Sequence, residues 1–157
     1  MRVRPFLILA AAVCAGWAAC VTITPKPPPE PERRLAGLEI CAGIRRAGDV
    51  FEAVDPRPAF TIGTESLYAF VRIADIPGEV RLRWKWYAPD GRLIRDSGDV
   101  AANEQGQYLE VLTAFDRLDL EGPGTAPPAG TWQVVFLLDG SLAVRRTFLL
   151  RAGPEKK

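Results

Sequence analysis

Apolar and polar residues alternate strictly from Val80 to Tyr87, which predicts a β-strand with one buried face. Side chains along a strand point to opposite faces in turn. The apolar face carries Val80, Leu82, Trp84 and Trp86, and the opposite face carries Arg81, Arg83, Lys85 and Tyr87. Because each buried tryptophan removes on the order of 200 Å² from water, we expect Trp84 and Trp86 to occupy the core of a β-sandwich.

Short alternating stretches separated by turn residues continue through the chain, and none keeps the 3.6-residue period of a helix. Residues 38–44 predict the first strand and place Cys41 opposite its apolar stripe, either as a packed side chain or as a free thiol. Residues 65–73 have two largely apolar faces, which predicts an interior strand. Residues 107–115 fit a strand imperfectly and leave a helical turn as an alternative. The pattern predicts one all-β antiparallel sandwich of about seven to eight strands over residues 35–152.

Two Asp-Gly pairs predict hairpins, because glycine accepts the positive φ that tight turns require. The first, at positions 90 and 91, returns residues 92–96 antiparallel to the tryptophan strand. The second, at positions 139 and 140, joins residues 132–138 to residues 142–150. Arg146 interrupts the apolar stripe of this last strand, so we expect a bulge near positions 145 and 146 or a change of sheet.

Proline and glycine mark the predicted loops. Residues 45–58 contain Pro56 and Pro58, which bar a helix and a central strand. Residues 116–130 predict a long loop, and residues 153–157 predict a flexible tail. The loop acids are Asp116, Asp119 and Glu121. Their oxygens suit calcium, but their spacing matches no defined calcium loop, so we predict no metal site.

The first twenty residues predict export and attachment to a membrane. Arg2 and Arg4 precede an apolar run over residues 6–19 that is shorter than the roughly 20 residues of a spanning helix and typical of a secretory signal. The small residues Ala18 and Ala19 before Cys20 resemble the lipobox of bacterial lipoproteins. That resemblance implies a signal peptide over residues 1–19 and a lipidated Cys20. The alternative is cleavage nearby that releases a soluble periplasmic or secreted protein.

Residues 20–34 predict a tether between the lipid and the domain. After Cys20 the segment contains five prolines and five charged residues and has almost nothing apolar beyond Ile23. Such a segment favours extended polyproline II at roughly 3.1 Å per residue, which gives a stalk of up to about 40 Å. The alternative is an unstructured tail. Val21 in the place of aspartate implies, by the lipoprotein sorting rule, the outer membrane facing the periplasm.

The core aromatics and turns of the domain resemble a known class of module. The stretch at positions 128–134, the second Asp-Gly hairpin with Phe148, and the run from Trp86 to Gly91 are similar to immunoglobulin-like β-sandwich modules of bacterial envelope proteins. The resemblance covers residues 38–151. It implies an immunoglobulin-like fold and a role in binding, spacing or assembly. The paired cysteines of antibody domains are missing.

Charge and composition exclude several functions. The balance of 20 Lys and Arg against 19 Asp and Glu gives no attraction toward nucleic acid. Histidine is absent, which removes the commonest general base and metal ligand. Three cysteines are too few for a disulfide framework or a zinc site, and Ser66, Ser97 and Ser141 have no histidine partner. We therefore predict no enzyme activity and no cofactor.

The candidate contact site is the basic stripe formed by Arg81, Arg83, Lys85 and Tyr87, which Arg72 of the preceding strand is a candidate to join. Arginine pairs bidentately with carboxylate and phosphate, although such a stripe is more often a solvated face that discourages aggregation. The leading hypothesis is a lipid-anchored envelope protein acting through contacts with an envelope protein. The alternative is a binder of an anionic glycan or lipopolysaccharide that uses the stripe.

Overall fold

Ten β-strands form the regular structure of the residues that the computed structural model describes, 34–120 and 127–153. They are β1 (Arg34–Ala47), β2 (Val50–Pro56), β3 (Ala59–Thr61), β4 (Ser66–Ile76), β5 (Val80–Tyr87), β6 (Leu93–Asp96), β7 (Val100–Ala102), β8 (Leu109–Asp119), β9 (Gly130–Leu138) and β10 (Ser141–Arg151). In these two ranges there is no helix with the length and hydropathy to cross a membrane. The predicted signal peptide, Cys20 and nearly all of the linker lie outside the described residues.

The strands form two sheets that pack face to face. One has four strands in the order β2-β1-β4-β8, and the other has the order β3-β10-β9-β5-β6, with β7 alongside β5. The chain crosses from the first sheet to the second three times, after β2, after β4 and after β8. A sheet built from β5, β9 and β10 with β6 added, opposite β1, β4 and β8, is the immunoglobulin arrangement. The predicted fold class is therefore confirmed.

The core lies between the two sheets and is built from the predicted alternation. Trp84 is 2% exposed and Trp86 is fully buried, as expected. Trp132, Phe136 and Phe148 pack with them from β9 and β10. The indole Nε1 of Trp84 is buried without a hydrogen-bond partner, which costs about 1–3 kcal/mol. Packing of large aromatic side chains offsets that cost.

The two sheets are also joined by a buried polar contact at their β8 and β6 edges. Asp116 of β8 points into the sandwich and is 8% exposed. Its carboxylate accepts hydrogen bonds from Trp86 Nε1 at 2.8 Å and from Arg95 of β6 at 2.7 and 2.9 Å. The predicted loop over residues 116–130 is therefore wrong at its start, because β8 continues to Asp119. Hydrogen bonds from both partners make a charged group tolerable at this position.

Three short strands raise the number above the predicted seven to eight. Two of them, β2 and β3, arise in or beside the proline-rich stretch predicted as turns, and both lie at sheet edges, where proline is tolerated. The third, β7, pairs with the first part of β5, whereas β6 pairs with its last part. The strand β3 pairs with β10 in parallel, whereas the other pairs among the ten strands are antiparallel. The predicted strand near residues 107–115 is confirmed as β8.

The irregularity in β10 lies elsewhere than predicted. Pairing between β9 and β10 shifts between Leu142 and Val144, not near residues 145 and 146. Arg146 pairs with Val134, whose side chain is in the core, yet Arg146 itself is exposed. Since β3 pairs only with residues 149–151 of β10, Arg146 lies at an open edge and its side chain reaches solvent. The interruption in the stripe therefore needs no bulge of its own.

Candidate functional site

The predicted basic stripe lies on the outer surface of the six-stranded sheet. Since Trp84 and Trp86 face the core, their neighbours on β5 face outward. Strands β9 and β10 pair in register beside β5 and add further side chains to the same surface. We call this surface the open face; it consists of Arg81, Arg83, Lys85, Tyr87, Gln133, Val135, Leu137, Leu142, Arg145 and Thr147. Each of these ten residues is partly or largely exposed.

Arg83 is occupied by acidic neighbours within the domain. Its guanidinium donates two hydrogen bonds of 2.7 Å to the carboxylate of Asp96 and lies 3.6 Å from Asp99. The hydrogen bond from Arg83 lowers the pKa of Asp96 to about 2, and the same bond raises the pKa of Arg83. The charge of Arg83 is therefore largely balanced before any ligand arrives.

Arg81 is held by its backbone. Its N–H donates to the carboxylate of Asp139 at 2.8 Å, and its carbonyl accepts from the N–H of Asp139 at 2.8 Å. These bonds fasten the β9–β10 turn to the start of β5. The side chain of Arg81 is exposed at that end of the open face.

Lys85 lies in a row with an arginine that the sequence patterns do not identify. In the strand register, Lys85 is opposite Val135, and Val135 is opposite Arg145. Two basic side chains therefore flank one apolar side chain at the middle of the open face. The register of the second hairpin would have identified Arg145. We missed it because we expected a bulge at that position.

Tyr87 lies in the next row, at the edge of a shallow depression of about 360 Å³. Tyr87 is opposite Gln133, and Gln133 is opposite Thr147. Thr131 and Pro89 complete the wall. The depression thus joins an aromatic ring to an amide and two hydroxyl groups, which can both donate and accept hydrogen bonds.

Arg72 does not join the stripe. It belongs to β4 of the four-stranded sheet, and its side chain is on the outer surface of that sheet. The sequence pattern suggested that β4 and β5 are neighbours, but the chain changes sheets between them. The outer surfaces of the two sheets face away from each other, so Arg72 and Arg83 lie on opposite sides of the molecule.

The outer surface of the four-stranded sheet is partly covered by the chain itself, which buries Cys41 and Phe70 and leaves Arg72 exposed. We call this surface the covered face; it carries Cys41, Tyr68, Phe70, Arg72, Thr113 and Phe115. Strand β1 pairs with β4 as far as Cys41 and then pairs with β2 instead. The resulting β1–β2 hairpin reaches β8, where Phe51 packs on Phe115 with ring centroids 5.1 Å apart.

Cys41 is fully buried under this cover. Its thiol is free and contacts the carbonyl of Tyr68 at 3.7 Å. Burial raises the pKa of the Cys41 thiol. Of the two alternatives for this residue, the packed side chain is thus observed.

Among the acids and serines singled out for chemistry, Asp119, Ser66 and Ser97 make structural contacts. Asp119 accepts hydrogen bonds from Ser66 and Arg117, and Ser97 bonds the backbone of Trp84 and Gly98. Glu121 lies outside the described residues. Within residues 34–120 and 127–153 no three metal-ligating side chains converge. The absence of catalytic and metal functions stays a prediction.

No protein-family model and no curated protein matches this chain. Similar solved structures include an alkylpurine DNA glycosylase from Pseudomonas fluorescens, with a TM-score of 0.47 and 12% identity over 77% of this chain and 31% of the glycosylase. An immunoglobulin-like protein from Pseudomonas aeruginosa gives 0.46 and 14% over 79% of this chain and 100% of that protein. A β-glucosidase from Listeria innocua gives 0.46 and 14% over 77% and 16%. At this level of similarity none of them assigns an activity, ligand or partner to this chain.

Proposed function

We propose that this protein is a lipid-anchored protein of the cell envelope whose sandwich binds another envelope protein through the open face. The observation that supports the proposal is the composition of that face. Val135, Leu137 and Leu142 form an apolar centre across β9 and β10, with Lys85 and Arg145 beside it. Protein interfaces combine an apolar centre with a polar rim and are enriched in tyrosine and arginine.

The membrane end of the proposal rests on the sequence. The lipobox-like residues before Cys20 and the proline-rich segment after it support an anchor in the outer membrane, on the periplasmic side. Intact mass of the protein from the membrane fraction tests this directly. The expected species begins at Cys20 and carries added acyl mass; a species beginning at Cys20 without that mass would contradict the anchor.

Affinity capture with matched variants tests the open face. Leu142 is 58% exposed and Val54, on the β1–β2 hairpin, is 41% exposed. Replacing either residue with glutamate places one charge at an exposed apolar position, and the two positions lie on opposite sides of the sandwich. We expect L142E to lose the proteins that the wild type captures from envelope extract, and V54E to retain them. Equal capture by both variants would refute the assignment of the face.

The depression beside Tyr87 supports a second candidate function, the binding of an anionic glycan or lipopolysaccharide. Because Arg83 is paired with Asp96, the cations available near the depression are Lys85 and Arg145, and Arg81 is exposed at the far end of the face. The double variant K85E/R145E should lose retention on an anionic glycan column, while R83Q should keep most of it. Retention of K85E/R145E at the wild-type level would exclude this function, and loss in R83Q alone would show that the wrong cations were chosen.

A further inference from the structure

A cavity of about 270 Å³ lies on the covered face, between the β1–β2 hairpin and the sheet. Its apolar wall includes Phe51 and Ala53 of β2 and Phe70 of β4, and its polar wall includes Glu39 and Arg72. Gly37 lines it as well, and the space beside this glycine is open, because a Cβ at that position would meet no atom within 4 Å. The cavity lies on the opposite side of the sandwich from the open face.

The hairpin holds this cavity open by contacts at its far side. The backbone N–H of Phe51 donates to the hydroxyl of Thr113 at 2.9 Å. The ring of Phe51 packs edge-on against Phe115, and Phe115 packs against Tyr68 at 6.0 Å. Phe51 is thus fixed over the sheet at a distance from the first part of β1, and the space between them is the cavity.

Glu39 and Arg72 bring opposite charges to one wall of the cavity. Glu39 is opposite Phe70 in the register and Arg72 is opposite Gly37, so the two residues are diagonal neighbours on one face. Diagonal neighbours are about 7–8 Å apart. Among the described residues no ion pair joins Glu39 or Arg72 to another side chain. The third charged side chain of the wall, Glu52, is already paired with Arg45.

We propose that this cavity binds a zwitterionic α-amino acid with an apolar side chain. Its carboxylate pairs with Arg72, its ammonium group pairs with Glu39, and its side chain packs between Phe51 and Phe70. An anion alone would meet the unbalanced carboxylate of Glu39, and a cation alone would meet Arg72. The volume lies just below the range of drug-sized pockets, which favours one amino acid over a longer peptide.

A titration of the labelled protein with L-leucine, followed by two-dimensional ¹H–¹⁵N NMR, tests the proposal. The amide signals of Gly37, Ala53 and Thr113 should shift together at millimolar leucine. N-acetyl-leucine lacks the ammonium charge and leucinamide lacks the carboxylate. Because each analogue lacks one of the two charge pairs, and both protein side chains are partly screened by water, each analogue should bind several-fold more weakly.

Variants assign the two charges. R72Q should weaken leucine binding several-fold and abolish the preference for leucine over leucinamide. E39Q should weaken leucine binding to a similar extent and abolish the preference for leucine over N-acetyl-leucine. R117Q is the matched control: Arg117 is opposite Tyr68 on the same face but does not line the cavity, so leucine binding should be unchanged. Leucine and both analogues binding equally, or no shifts at millimolar leucine in wild-type protein, would overturn the proposal. Open-face capture by the same variants stays at the wild-type level.

Discussion

The two outer faces of the sandwich are both built from strands with alternating side chains, but one face is partly covered and the other is exposed. On the covered face Phe70 is 7% exposed, because the β1–β2 hairpin lies over it. On the open face Leu142 is 58% exposed and no described segment lies over it. One face therefore contributes a second small core to stability, whereas the other leaves its apolar side chains exposed.

The difference arises in the hairpins. The β9–β10 turn is tight: Asp139 and Gly140 both have positive φ, and the two strands stay in plane with β5. In contrast, β1 continues past its last pair with β4 at Cys41 and bends away together with β2. Because β1 is longer than its pairing with β4, its end beyond that pairing can bend over the surface of the sheet and carry β2 with it. Both turns have two residues, so the difference lies in the strands: the extra length of β1 covers one face, whereas β9 and β10 stay in their sheet and leave the other exposed.

The largest expected effect separates the two faces by stability. Phe70→Ala removes a buried ring from beneath the hairpin and should lower the free energy of unfolding by about 3 kcal/mol. Leu142→Ser on the open face should change it by less than about 0.5 kcal/mol. Urea denaturation of both variants measures the difference. If the two variants were equally destabilised, the hairpin would not act as a cover.

The next effect concerns the edge where the sheets meet. Asp116→Ala leaves Trp86 Nε1 without its acceptor and Arg95 without its carboxylate, so we expect a loss of about 2 kcal/mol. Asp119→Ala is the control, because Asp119 also accepts from an arginine but is largely exposed; it should cost clearly less than Asp116→Ala. Thermal unfolding of the two variants provides the comparison. A smaller loss for Asp116→Ala than for its control would show that the sheets do not depend on this contact.

The elements that the sequence patterns predicted are those that local chemistry determines. Strict alternation placed Trp84 and Trp86 in the core, and the Asp-Gly pairs located both hairpins. The predictions that were wrong depend on which strands become neighbours. A period of two assigns Arg72 to a face of its own strand but does not say to which sheet the strand belongs, and Asp116 resembles a loop acid until β6 brings Arg95 to it. For the same reason the sequence did not predict that the β1–β2 hairpin covers Cys41, since this requires β1 to pair first with β4 and then with β2.

A third effect measures how firmly the hairpin is closed. Phe51→Ala removes the ring that packs on Phe115 and should destabilise the domain by about 1 kcal/mol. It should also raise the rate at which Cys41 reacts with a thiol reagent, since Cys41 is buried and burial raises the pKa of its thiol. Mass spectrometry of the Cys41 peptide follows the rate. Leu142→Ser, on the open face, should leave it unchanged, and equal rates in both variants would mean that the ring of Phe51 does not hold the hairpin closed over Cys41.

The smallest effect concerns the charge of the open face. Asp96 has a pKa lowered to about 2 by its hydrogen bond from Arg83, below the value of about 4 in an unfolded chain. A lowered pKa in the folded state means that this pair stabilises the protein above pH 4 and that the contribution is lost as the pH falls toward 2. Because the pair is partly exposed, the loss should stay under about 1 kcal/mol.

The variant Arg83→Gln tests whether this pair occupies the arginine. NMR titration of the Asp96 carboxyl group should show its pKa rising toward the unfolded value when the guanidinium is removed, while Lys85→Gln, which acts on Asp96 only through charge, should raise it less. If the wild-type pKa were already near 4, Arg83 would be free to bind an external anion. The open face would then be a basic surface, and this result would favour glycan binding over protein binding as its function.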